Sequence, residues 1–298
     1  MSEKLHWHGV FPAITTPFHT DLKVDHSFLA RHVKWLISNG CQGIVALGSL
    51  GEGATLEKEE KLEILKTCKA ALGNDIPLVA GISALSTADA VRLAKEAQDA
   101  GCQGLMVLPP YVYCSDWREM KAHVAAIFKA TNLSCMLYNN PIAYKTDFLP
   151  EQVAELCQEH SNLHAIKESS ADVRRVTALR ALLGDRLAYF MGVDDLIVEG
   201  VQAGATGWIA GLVNAFPKES VQIFELALAG KDTRALYEWF LPLLRLDVVV
   251  KFVQLIKLTQ EKVDMGSSTV RPPRLKLVGA ELAAADKIID HAIKHRPK

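Results

Sequence analysis

Two apolar runs of this sequence end on side chains that can do chemistry: "LHAIK" closes on Lys167 and "SCMLY" on Tyr138. Lys167 shares the alternation of Leu163 and Ala165, so it points wherever they point along an extended strand. Inside a protein, loss of hydration penalises its ammonium form, lowers its pKa and leaves free amine able to attack a carbonyl carbon as a Schiff base. A phenol beside that amine can move protons as the carbinolamine forms and collapses. A third stretch, "GSLGEGATL", offers Gly48, Gly51 and Gly53, whose backbone N–H groups can turn inward, and the hydroxyl of Ser49, together a cradle for a carboxylate. Plainer readings stand beside these. Lys167 could emerge into solvent or pair with Glu168, Tyr138 could cap a packed strand, and the glycines could serve an ordinary tight turn.

What must position these groups is a series of short apolar runs. They begin at Gly9 ("GVFPAIT"), Gly43 ("GIVALG"), Pro77 ("PLVAG"), Gly104 ("GLMVL"), Ser134, Leu163, Leu187 ("LAYFMG") and Gly207 ("GWIAG"). Continuous apolar runs without strict alternation suit parallel strands covered on both faces, and amphipathic segments such as "EKEEKLEILKTCKAAL" and "STADAVRLAKEAQDAG" lie between them. The second opens on a Ser86/Asp89 capping box and ends on Gly101. Eight such repeats predict an α/β fold, a (β/α)8 TIM barrel over residues 1–224, with a C-terminal helical extension over 225–298. Neither GxGxxG nor GxxxxGK[ST] occurs, which argues against a nucleotide-binding doubly wound sheet. In such a barrel the C-terminal strand ends carry the chemistry, and Lys167 and Tyr138 stand at two of them.

Composition narrows the partners. The 298 residues carry 33 basic and 34 acidic side chains, which leaves no field for nucleic acid or an anionic membrane. The late apolar stretch "DVVVKFVQLIKL" is broken by Lys251 and Lys257, short of the roughly 20 apolar residues of a membrane span. Six isolated cysteines (Cys41, Cys68, Cys102, Cys114, Cys135, Cys157) and a start without a signal peptide predict reduced thiols in a cytoplasmic protein. His6 and His8 precede the first strand, at the end of a barrel remote from chemistry, so no metal site is expected. Thr15, Thr16 and Pro17 could line a pocket or make a helix-entry turn. Glu52 is expected to order its own glycine turn, and Asp194 and Asp195 to favour a helix start.

"GSLGE", "YNNP", "IKES" and "GVDD", at these intervals, resemble the dihydrodipicolinate synthase / N-acetylneuraminate lyase family of class I Schiff-base lyases, from about Val10 to Pro217. The resemblance implies a barrel enzyme without a cofactor, usually a homotetramer, whose substrate is a small 2-keto or 2-imino carboxylate bound as an imine to Lys167. It makes Tyr138 the proton-relay tyrosine and Ser49, with the backbone of Leu50, the carboxylate-binding turn; Gly192 and Ile209 line the pocket.

Departures from the synthase branch are local. Leu50 replaces a second hydroxyl, and Val112 in "PPYVY" stands where the synthase has a tyrosine contributed across a subunit interface, although Tyr113 follows. Near "IAYK", Ala143 and Tyr144 stand where an arginine would hold a second carboxylate, with Lys145 as the remaining cation. These losses favour a substrate with one carboxylate. "YNNPIAYKTDF", "MGVDDLIVEGVQAGATGWIAGLVNAFP" and "VRPPRLKLVG" resemble the 1-pyrroline-4-hydroxy-2-carboxylate deaminases of hydroxyproline breakdown. That chemistry exchanges Lys167 with a ring imine, expels the 4-hydroxyl as water and releases ammonia on hydrolysis. The alternatives are 4-hydroxy-tetrahydrodipicolinate synthase and a 2-keto-3-deoxy sugar-acid aldolase or dehydratase, for which Thr206 and Asn214 would have to bind hydroxyls. A barrel that binds ligand without turnover has no use for both Lys167 and Tyr138.

Overall fold

The computed structural model describes residues 5–110 and 116–297; Val112, Tyr113 and Cys114 lie outside them. Eight parallel strands form one sheet: β1 (Gly9–Pro12), β2 (Ile44–Ala46), β3 (Leu78–Ile82), β4 (Gly104–Val107), β5 (Ser134–Asn139), β6 (Leu163–Glu168), β7 (Ala188–Met191) and β8 (Gly207–Ala210). All eight apolar runs supply a strand. Their order β1-β8-β7-β6-β5-β4-β3-β2 brings β1 beside β2, where a bridge between Ala13 and Val45 and the bond from Ile14 N to Val45 O (3.0 Å) join the two. The sheet is thus a nearly closed (β/α)8 barrel.

Helices α1 (His26–Ser38), α2 (Lys58–Leu72), α3 (Thr87–Asp99) and α4 (Trp117–Lys129) follow the first four strands. The short α5 (Pro141–Tyr144) precedes α6 (Pro150–Glu159), and α7 (Arg174–Leu183), α8 (Ile197–Gln202) and α9 (Pro217–Leu228) complete the ring. Their starts follow local chemistry. The Ser86 hydroxyl accepts from Asp89 N and donates to the Asp89 carboxylate, and Gly101 takes the left-handed φ of 84° beyond the helix end. Asp116 and Glu119 form a reciprocal capping box on α4.

The strands are buried almost throughout, as parallel strands between an interior and a helix layer must be. At their N-terminal ends Trp7 packs on Phe11 and Phe190, with its indole N–H donating to Ser134 Oγ at 2.7 Å. That plugs one end of the barrel and leaves chemistry to the other.

The extension comprises α10 (Arg234–Leu244), α11 (Phe252–Lys262) and α12 (Gly279–Lys294). The expected boundary at residue 225 falls inside α9, which packs on β1 and α8 as the barrel's last helix. Among the described residues no helix is long and apolar enough to cross a membrane. The five described cysteines are free and buried.

Candidate active site

Parallel register does most of the positioning. Tyr138 on β5 pairs with Lys167 on β6, and Asn139 pairs with Glu168. Tyr138 and Lys167 therefore share one face and their successors the other. Lys167 Nζ lies 4.1 Å from the centroid of the Tyr138 ring, and both side chains are buried. Among the described residues that nitrogen has no hydrogen bond or ion pair. Burial pulls its pKa down to about 8, against the pull of Asp247 and Asp194 in the other direction.

Glu168 points to the opposite face, where it accepts from Asn139 Nδ2 at 3.1 Å and Ser170 N at 2.7 Å. It is thus no partner for the amine. The Tyr138 phenol is pushed up to about 12 by burial and accepts a 2.9 Å bond from Asn140 Nδ2, which eases the shift. Asn140 also caps α5 by accepting from Ala143 N at 3.0 Å. The four residues of "YNNP" thus divide into an inward phenol, an outward structural amide, a cap that holds the phenol, and a proline that starts the turn.

Neighbouring strands leave room for the amine. A Cβ built on Gly192, just past β7, would lie 2.5 Å from Lys167 Cε and 2.0 Å from Ser169 Oγ, so any side chain there displaces the lysine. On β8 the alternation places Gly207 against the inward ring of Phe190 and Ile209 one layer nearer the mouth.

The turn after β2 faces this group. Ser49 Oγ shares a hydrogen bond with the Tyr144 hydroxyl, and the Tyr144 ring meets Tyr138 edge-on with centroids 5.9 Å apart. Two phenols and one hydroxyl thus adjoin on the side of the amine. Leu50 is buried in the core. The turn is held from behind. Gly53 is required because a Cβ would stand 2.3 Å from Leu47 O, and Thr16 Oγ1 donates to Gly51 O at 2.6 Å. Glu52, fully buried, accepts from Lys257 Nζ at 2.7 Å and from Arg271 N at 3.0 Å, so the extension clamps the turn. Thr15 turns away and donates to Gln260 at 2.8 Å.

Sequence reasoning missed three participants. In the sequence Tyr144 is only one of two residues standing where an arginine would hold a second carboxylate. Asp194 accepts from Trp208 Nε1 (2.9 Å), Gly211 N (3.1 Å) and Leu212 N (2.9 Å), and burial raises its pKa to about 6. It latches the end of β7 to that of β8 and does more than favour a helix start. Asp247, beyond α10, stands against Gly211 at the end of β8. Nothing in the sequence signals that a residue of the extension should reach the barrel mouth.

Other candidates fall elsewhere. Asn214 is consumed by Ala13 O and Gly211 O, both at 2.8 Å, and by His32 at 3.2 Å, while Thr206 precedes β8 at the far end of the barrel. Lys145 is exposed at the end of α5. His6 and His8 are exposed and stack on each other, and no group of three or more metal-ligating side chains occurs among the described residues.

This geometry has counterparts. A sequence model of the Dihydrodipicolinate synthetase family matches residues 6–292. The chain belongs to that family. A 4-hydroxy-tetrahydrodipicolinate synthase of Agrobacterium fabrum is 30% identical over 289 residues, covering 96% of this chain and 97% of that protein. One of Methanothrix thermoacetophila is 35% identical over 231 residues, 76% of each. Among solved structures, the 4-hydroxy-tetrahydrodipicolinate synthase of Methylacidiphilum fumariolicum SolV superposes with a TM-score of 0.92 at 28% identity, over 96% of both chains. A dihydrodipicolinate synthase of Acinetobacter baumannii, complexed with pyruvate, gives 0.91 at 28% identity over 96% of this chain and 98% of that one. As a dihydrodipicolinate synthetase family member, the chain is a class I, Schiff-base lyase in a (β/α)8 barrel.

Proposed function

We propose that Lys167 is the nucleophile of this lyase, that it binds a small 2-keto or 2-imino acid carrying one carboxylate, and that the reaction is the deamination of 1-pyrroline-4-hydroxy-2-carboxylate. The carrying observation is the amine itself: dry, unpaired among the described residues and 4.1 Å over a phenol ring. Only a free amine adds to an imine or carbonyl carbon, and among the described residues no hydrogen bond or ion pair holds this one as an ammonium. Tyr138 moves the protons of addition and collapse, with Tyr144 and Ser49 extending the relay within one chain. Ser49 and the backbone of Leu50 receive the carboxylate, Gly192 leaves space for the lysine, and Ile209 forms an apolar wall. The Schiff base serves as the electron sink, so no cofactor is needed.

Ala143, exposed on the α5 turn, offers nothing to a second carboxylate. That favours the deaminase over a synthase that must hold two acids. The names of the relatives favour the second reading, 4-hydroxy-tetrahydrodipicolinate synthase, and weigh more heavily for it than any name does for deamination. A homotetramer is proposed with either. A solved structure described as a monomeric dihydrodipicolinate synthase variant shares the fold at a TM-score of 0.90, so sedimentation has to decide the assembly.

Turnover separates the two. The purified chain is given the hydroxypyrroline carboxylate, pyruvate with aspartate semialdehyde, or 2-keto-3-deoxy acids, with Lys167→Ala alongside. Ammonia and 2-oxoglutarate semialdehyde from the first substrate alone are expected. Condensation of the second pair establishes the synthase instead, and turnover that survives Lys167→Ala removes the imine mechanism.

A further inference from the structure

The extension places one carboxyl group at the mouth of the barrel. Asp247 follows α10, its backbone N–H still bonded to Leu244 O at 3.1 Å, and its side chain then packs on the end of β8. A Cβ built on Gly211 would lie 2.0 Å from Asp247 Oδ1, so the carboxyl fills the space that this glycine leaves, two residues beyond Ile209. That Oδ1 is screened from solvent and has no hydrogen-bond partner among the described residues. The contrast with Asp194 is instructive, because both carboxyls adjoin Gly211 and both interact with Lys167. Asp194 is saturated by three donors and can only hold structure. Asp247 keeps an oxygen free.

We propose that Asp247 is a catalytic acid of this site, delivering the proton with which a hydroxyl on the carbon β to the imine carbon leaves as water. The inference rests on the Schiff-base reading of Lys167 and names the substrate class: 2-keto or 2-imino acids hydroxylated at C4. With Lys167 Nζ bonded to C2 as the iminium, C3 gives up a proton to the relay and its electron pair forms the C2=C3 bond of an enamine. That enamine re-forms the iminium while C3=C4 forms and C4–O breaks. The departing oxygen takes both electrons of its bond and the proton of Asp247, and leaves as water. Asp247 remains as carboxylate beside the iminium, an ion pair that exists only after the bond has begun to break and so favours the transition state. Burial and the charge of Asp194 both raise the Asp247 pKa, which keeps the proton on the acid beforehand, although the Lys167 ammonium works against this.

The test separates proton removal from loss of the hydroxyl. Asp247→Asn keeps the shape and Asp247→Ser keeps only a small polar group; melting curves report whether each folds. Two reactions of pyruvate need no leaving group: borohydride trapping on Lys167, and exchange of the methyl hydrogens in D2O followed by NMR. Both variants are expected to trap and exchange within a few-fold of wild type, while water loss from the hydroxypyrroline carboxylate falls by about a hundredfold or more. An open-chain 4-hydroxy-2-keto acid runs beside it. If wild type uses only the open-chain acid, the deaminase reading fails while the role of Asp247 is judged on that substrate. The assignment is overturned if water loss stays within a few-fold in the variants, if trapping and exchange fall by the same factor as water loss, or if wild type traps pyruvate and dehydrates neither acid.

Discussion

Lys167 and Lys257 are the two buried lysines among the described residues, and burial lowers both to about 8. Each also lies over an aromatic ring, Tyr138 at 4.1 Å and Phe18 at 4.4 Å. By hydration and by ring contact they are the same group. Their partners differ. Lys257 Nζ donates to Glu52 at 2.7 Å and to Thr16 O at 2.8 Å, so its ammonium is committed to joining α11 to the turn after β2. Lys167 Nζ has no such partner among the described residues and sits over the Tyr138 phenol at the C-terminal end of β6. A depressed pKa therefore marks burial, and what separates the two lysines among the described residues is the hydrogen-bonded partner.

Removing each amine sharpens that difference. Lys167→Ala is expected to abolish turnover, by at least about a thousandfold, and to abolish borohydride trapping of pyruvate, because among the described residues no other lysine lowered to about 8 stands at the strand ends. Intact-mass measurement of the reduced protein checks it; an adduct of unchanged yield would mean that another lysine, Lys257 first among them, carries the imine. Tyr138→Phe is expected to lower kcat by about a hundredfold while trapping persists, since imine formation can borrow protons from water more slowly. A loss confined to KM would instead make Tyr138 a binding residue.

Lys257→Met should act on stability. It leaves Glu52 fully buried beside Arg271 N and an Arg274 guanidinium at 3.9 Å, without its direct countercharge. Breaking one side of such a pair costs about 3 kcal/mol, readable as a lower urea midpoint. The turn after β2 should loosen with it and raise the pyruvate concentration that gives half-maximal borohydride trapping, with the trapped adduct at saturating pyruvate unchanged. A variant as stable as wild type would show that the extension does not hold the turn through this pair.

The same contrast explains what could be read from sequence. The barrel was legible because eight apolar runs at βα spacing leave few alternatives, and Lys167 and Tyr138 were legible because alternation fixes their face and register sets them side by side. Tyr144 was not, because a four-residue helix, capped by Asn140, turns its phenol back to Ser49, and no periodicity encodes that. Asp247 and Lys257 were not, because they act across more than thirty and two hundred residues of chain, through packing of an extension whose helical pattern specifies a face and not an address. Within "DVVVKFVQLIKL", Lys257 served only as a break in an apolar run.

The smallest expected effect tests the two amines directly. An ordinary lysine at pH 7 is free amine in about one molecule in three thousand; at a pKa near 8 the fraction is about one in ten. Imine formation needs the free amine, so the sign is fixed: trapping of pyruvate by cyanoborohydride is slow at low pH, is half-maximal near the Lys167 pKa of about 8, and levels off about one pH unit above it. Between pH 7 and 9 the rate should climb by about tenfold. Lys257→Met should leave that inflection in place, because its charge is matched by Glu52 and spent on the turn. An inflection near 10 would describe a hydrated amine, and one that moves with Lys257→Met would tie the two lysines into a single titrating network, erasing the distinction drawn between them.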